Sequence, residues 1–294
     1  MAGSNGGRPQ SVGSGDQRVS VVIPAKDEAE RIGTTVRAVR DIPGVRNVLV
    51  VDDGSVDATG PQAARAGAVV VRHARNRGKA AAMESGAARV ALDDAEQGLA
   101  PSVLLFVDAD LGESATATAV LAGPVLAGDA DMTIAVLPPQ RTSGGGRGLV
   151  VNLSRNGIRR ATGWTTAQPL SGMRCLTREA FEVARPLAPG WGVETGLTID
   201  LLSAGYRVLE VPCELHHRVT GRDVRAQLHR GRQYRDVARA LIARRLRRAV
   251  PLRLLGLLTN RSERRAAERR AAERRPADQV ACQGDAAPVD PPRR

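Results

Sequence analysis

The chain has 294 residues, 42% of them hydrophobic, 25% charged and 2% aromatic, with a formal net charge of +12. That is enough apolar chain to bury a full core, and it suits one large α/β domain with tails. Cys175, Cys213 and Cys282 form no Cys-x-x-Cys pair, which argues against a disulfide framework or a zinc site and for a reducing cytoplasm, and no apolar run reaches the length that crosses a bilayer.

The basicity is local. From Arg222 to Arg275 eighteen arginines face five acids, a net +13, so the charge belongs to a C-terminal arm and the rest is close to neutral. Met1 to Gln17 are rich in Gly and Ser and predict a disordered leader over 1–17, not a signal peptide. From Arg18 onward short β-branched runs alternate with helical patterns, the order of a parallel sheet flanked by helices. The expected strands are Val19–Ile23, Val48–Val51, Ala68–Val71, Val103–Val107 and Met132–Val136. The expected helices are Glu28–Val39, Asp57–Ala66 behind a Ser55 cap, Lys79–Leu92 and Ser114–Leu126. Ligands of such sheets sit beyond the carboxyl ends of the strands, where each polar motif of this region falls.

Four motifs occupy those ends. VLLFVDAD (103–110) delivers Asp108 and Asp110 one residue apart as a strand gives way to a turn, where both can reach one hard cation. PAKDEAE (24–30) follows the first strand and DDGS (52–55) the second. A carboxylate at a strand end can accept from a base N–H or a ribose hydroxyl, while the plain reading of Asp52 and Asp53 is a turn with a helix cap. NRGKAAAM (76–83) puts Lys79 at a helix start, either facing phosphate or base or simply solvated.

The series VVIPAKDEAERIG, VLVVDDGSVDAT, NRGKAAAM and FVDADL resembles the nucleotide-sugar half of family-two-type glycosyltransferases of the GT-A fold. The resemblance implies an α/β fold: a Rossmann-like nucleotide-binding half with a mixed central sheet, here followed by a basic C-terminal helical arm. It implies donor binding by Pro24, Ala25, Glu28, Asp53, Lys79 and Asp108, and Mg²⁺ or Mn²⁺ on the donor diphosphate through the Asp-x-Asp pair.

In the second half, GGGR (144–147), QPLSG (168–172), PGWGVETGLTID (189–200) and HHR (216–218) follow the order seen in glucosyl-3-phosphoglycerate synthases, a similarity spanning about Val19 to Arg218. Those enzymes continue the Gly-Arg pair with Val-Thr, whereas this chain has Gly148 and Leu149, so the class carries over better than the acceptor. By resemblance, Arg147, Gly172, Trp191 and Glu194 line the acceptor side, and His217 joins Asp110 and Asp108 as a metal ligand. The residues themselves allow roles. Arg147, in a Gly-rich loop, can clamp an anion or belong to a plain flexible connection. Glu194, just before a helix over Thr195–Leu202, can orient the acceptor hydroxyl or take its proton. Alternation along Tyr206–Leu215 sends only one of His216 and His217 toward a site, and Trp191 either walls the acceptor pocket or packs in the core. Arg147, Glu194 and Asp110 are the expected catalytic residues.

The expected domains are a catalytic domain over 18–221 (donor half 18–137, acceptor half 138–221), an arm over 222–258 and a charged, largely disordered tail over 259–294. The arm is helical from Val219 to Arg248 and sets Leu241, Ile242 and Leu246 among arginines, with a break at Pro251. Such a segment lies peripherally on an anionic membrane, here the inner face, or packs on its own domain or on a dimer partner. The resemblance in the second half implies a small phosphorylated acceptor such as 3-phosphoglycerate, the favoured reading, whereas the basic amphipathic arm points to a polyprenyl phosphate; UDP-glucose is the donor that the resemblance favours. Rival classes lack their signatures: PAKDEAE has neither the glycine loop of a nucleotidyltransferase nor GxGxxG for a dinucleotide enzyme, and 2% aromatics leave few platforms for specific nucleic-acid binding.

Overall fold

A computed structural model of the chain describes residues 19–138, 148–215 and 224–249. The expected leader (1–17), the tail (259–294) and the break at Pro251 lie outside the described residues. Strand β1 (Val19–Ala25) leads through helix α1 (Ile32–Arg40) to β2 (Val45–Asp52), and α2 (Thr59–Arg65) leads to β3 (Val69–Arg72). Helix α3 (Lys79–Glu96) precedes β4 (Val103–Phe106), and a 3-10 helix (Gly112–Leu121) runs into α4 (Ala122–Leu126) and β5 (Met132–Val136). Then come α5 (Leu149–Thr162), β6 (Arg174–Leu176), α6 (Arg178–Val183), a 3-10 turn (Gly190–Gly192), α7 (Val193–Ser203), β7 (Val208–Pro212) and α8 (Val224–Ala249).

The seven strands form one sheet in the order β3-β2-β1-β4-β6-β5-β7. All pairings are parallel except those of β6, which runs antiparallel to both β4 and β5. The mixed central sheet that the resemblance implies is the observed one, and β6 is the strand that departs from the parallel order. Three residues, Arg174 to Leu176, are too few to show a strand period in sequence.

Both faces of the sheet are covered, which is why the strands read as continuous apolar runs. Val21, Ile23, Val50 and Leu105 pack toward α1 and the 3-10 helix, while Val22, Leu49, Val51, Leu104 and Phe106 pack toward α3 and α7. Phe106 stacks on Phe181 with ring centroids 5.5 Å apart. The cap expected of Ser55 is not made: Asp57 accepts from the Thr59 N–H, and the Ser55 hydroxyl accepts from the Asp27 N–H. The register that sets Ala25 beside Asp52 and Val22 beside Phe106 brings the ends of β1, β2 and β4 to one edge.

A unit defined by internal contacts runs to Arg245. Within it Val237, Ala240 and Arg244 of α8 are buried. Glycines make this packing possible: a Cβ at Gly157 of α5 would fall 2.6 Å from Leu241 Cδ1, and one at Gly192 would fall 2.7 Å from Ala240 Cβ. Among the described residues no helix is long and apolar enough to cross a membrane.

Candidate active site

A cleft of about 480 Å³ opens at that sheet edge, and Pro24, Ala25, Glu28, Asp53, Lys79, Asp108, Asp110 and Trp191 all line it. Every expected donor residue thus meets in one place. Arg147, His217 and its neighbour His216 lie outside the described residues.

The two aspartates after β2 part company. Asp52 is fully buried; its carboxylate accepts from the Ser55 N–H and from Arg72, each at 2.8 Å, and so fixes the turn. Asp53 faces the cleft, yet its Oδ1 accepts from the Arg77 N–H at 2.8 Å and its Oδ2 from the Gly78 N–H at 2.7 Å. His73 Nδ1 lies 2.7 Å from the same Oδ1, and because an ionised carboxylate only accepts, that nitrogen is the donor. His73 Nε2 lies 3.0 Å from the Ser85 hydroxyl, which ties the ring to α3. Asp53 therefore shapes the loop that presents Lys79.

Lys79 is the centre of the site. Its ammonium donates to Asp108 Oδ1 at 2.8 Å and lies 3.0 Å from Glu194 Oε1. Burial opposes the charge, but Asp108 and then Glu194 outweigh it and hold the ammonium above the ordinary lysine value. Gly172 closes over this pair: a Cβ there would sit 2.8 and 2.9 Å from the two Asp108 oxygens and nearer still to the ammonium. Any side chain at Gly172 would therefore crowd the Lys79–Asp108 pair. Glu194 lies within the first turn of α7, which starts two residues earlier than the sequence indicates, and is buried.

At the mouth, Asp110 and Glu28 gather negative charge around Arg31, whose guanidinium is 3.8 Å from Glu28 and 4.0 Å from Asp110. Burial first and the Asp110 charge second push the Glu28 carboxyl above its ordinary range, with Arg31 working against them. Among the described residues no three His, Cys, Asp or Glu side chains form a complete metal cage. The chemistry of the donors nonetheless fits a hard divalent ion: carboxylate oxygens in a partly open cleft, with charge to spare.

Residues 20–183, more than half of the chain, match the family model described as Glycosyl transferase family 2. The chain belongs to that family.

Among curated proteins, this family 2 chain is similar to glycosyltransferase AglJ of Haloferax volcanii, 33% identical over 213 residues that cover 70% of this chain and 65% of AglJ. It is also similar to glucosyl-3-phosphoglycerate synthase of Mycolicibacterium smegmatis, 32% identical over 202 residues, 62% of this chain and 63% of the synthase. The match thus spans just under two thirds of the length of either relative. A crystal structure of glucosyl-3-phosphoglycerate synthase from Mycobacterium tuberculosis in complex with Mn²⁺, uridine diphosphate and phosphoglyceric acid superposes with a TM-score of 0.62 at 27% identity, covering 78% of each chain.

One residue buried behind the cleft escapes a motif-based reading. Arg174 is 1% exposed, and its guanidinium donates to the carbonyl oxygens of Ser171 at 2.9 Å and Pro169 at 3.3 Å and to the Thr198 hydroxyl at 2.8 Å. Burial lowers its pKa to about 10, with Glu194 and Glu210 resisting. Arg174 thereby ties the loop carrying Gly172 to the helix carrying Glu194. The available signal was an arginine inside the apolar run from Met173 to Leu176. Trp191 is 41% exposed at the cleft, and its backbone N–H donates to Asp236 of α8 at 3.4 Å.

Proposed function

We propose that this family 2 chain moves a hexose from a nucleoside-diphosphate sugar, UDP-glucose foremost, to a hydroxyl of a small phosphorylated acceptor such as 3-phosphoglycerate. The observation that carries the reading is the convergence of Asp108, Asp110 and Lys79 at one sheet edge, in a cleft roomy enough for a nucleotide. The Mn²⁺, uridine diphosphate and phosphoglyceric acid held by the structural relative support the donor and acceptor classes.

In this reading Pro24, Ala25 and Glu28 take the nucleoside and Asp53 holds the loop that closes on it. Asp110 and Asp108, with His217 by resemblance, would hold Mg²⁺ or Mn²⁺. When bound, the ion supplies positive charge to the leaving diphosphate. Lys79, fixed between two carboxylates, adds a preorganised ammonium on the same side. Glu194 Oε1 is committed to Lys79, so its first task is to hold that ammonium across the donor–acceptor boundary. Trp191 and Arg147 complete the acceptor side, one as an apolar wall and the other as an anion clamp.

The test is thermal stabilisation by UDP-glucose and by GDP-sugars, with and without Mn²⁺, followed by UDP release on adding 3-phosphoglycerate. Asp110→Ala is expected to abolish the Mn²⁺-dependent shift. A wild-type chain that no activated sugar stabilises in the presence of the ion would overturn the assignment.

A further inference from the structure

The two sides of α8 differ sharply. With 3.6 residues per turn, Asp236, Val237, Ala240, Leu241 and Arg244 fall on one side, and this is the side that packs: Asp236 against Gly190, Ala240 against Gly192, Leu241 against Gly157, Arg244 against Gly196 and Asp200. The opposite side carries Tyr234, 47% exposed, and Ile242, 58% exposed, about 80° apart around the axis with Ala238 between them. Arg245 also lies between them, and Arg235, Arg239 and Arg232 follow beyond Ile242; all four are exposed. Between residues 224 and 249 the chain has nine arginines and one acid, and that acid, Asp236, is on the packed side. The outer face is therefore apolar and cationic with no carboxylate.

We propose that this outer face docks on an anionic lipid surface. Apolar side chains ringed by arginine are what a helix lying in a bilayer interface presents. Negative headgroups also attract each basic side chain near them. A second copy of the chain would set these arginines against one another, and like charges meeting across an interface repel. The same helix reaches the site: Asp236 accepts from the Trp191 N–H, and Gly192 rests on Ala240, so a docked α8 holds the acceptor wall at the lipid surface.

The experiment is flotation of the full chain with vesicles of phosphatidylcholine alone or mixed with phosphatidylglycerol, at low and physiological salt. No sugar nucleotide, acceptor or divalent ion is present, so the result stands apart from the transfer reaction. The chain is expected to float only with anionic vesicles and less so as salt rises. The triple variant R232Q/R235Q/R239Q is expected to bind on the order of a hundredfold more weakly, and Ile242→Ser about tenfold more weakly. Both should melt with the wild type, since all four positions are on the surface. The proposal is overturned if the wild type ignores anionic vesicles or binds an RNA oligonucleotide in their place. It is equally overturned if the face variants float normally while neutralising the seven arginines of Arg261–Arg275 removes binding, or if they merely dissociate a dimer.

Discussion

Replacing Lys79 with methionine keeps the length of the side chain and removes the charge that two carboxylates share. Asp108 and Glu194 would then face each other, the second of them buried. Breaking a buried pair by deleting one partner costs about 3–5 kcal/mol; Lys79 and Asp108 are each a quarter or more exposed, so water screens part of this and about 2–3 kcal/mol is the working figure. For a fold of this size that lowers the melting temperature by roughly 5–10 °C. Differential scanning fluorimetry without ligands reads it directly. Adding Glu194→Gln to the Lys79→Met chain removes the stranded charge, and about half of the loss should return, a coupling that independent sites do not show. If Lys79→Met melts with the wild type and Glu194→Gln changes nothing, the ammonium does not hold the two carboxylates and the account of the site is wrong.

Other expectations test the fold around the site. Gly157→Ala drives a methyl into Leu241 and should destabilise by about 1–3 kcal/mol through overpacking. In urea titrations, Leu241→Ala in the same chain should give a pair more stable than the sum of its single changes. Asp131 accepts from the Arg207 N–H at 2.7 Å and from its guanidinium at 3.0 and 3.2 Å, joining the start of β5 to the approach of β7. Arg207 holds this carboxyl below its ordinary 3.8, so its contribution is present above pH 3.8 and fades as pH falls through the lowered value. Asp131→Asn should therefore melt below the wild type at pH 7, by less than about 1 kcal/mol because Arg207 is mostly exposed, and the two curves should converge in acid.

What could be seen in the residues was periodicity and strand-end chemistry. The five anticipated strands appear within a few residues of their places, and the four polar motifs converge because sheet register is fixed by the same apolar runs that announced them. The elements that went unseen are those whose cause is tertiary. Helix α5 begins at Leu149 with Gly148 as its cap and has Gly157 in its middle, a poor helix signature that makes sense only once Leu241 fills the space. Strand β6 is three residues held as a strand by antiparallel pairing with β4 on one side and β5 on the other. Asp53 reaches the cleft that strand-end chemistry predicts, while its bonds to the loop after β3 depend on a fold-back that spacing does not encode.

The sharing of Lys79 limits how such a protein can be rebuilt. Its ammonium comes from the start of α3, one of its counter-ions from the turn after β4 and the other from the start of α7, more than a hundred positions later. A chimera that grafts the sugar-nucleotide portion of one relative onto the receiving portion of another would inherit a cation tuned for a carboxylate its new neighbour need not carry. Swaps should therefore exchange Lys79, Gly172 and Glu194 as a set, with the crossover placed away from all three.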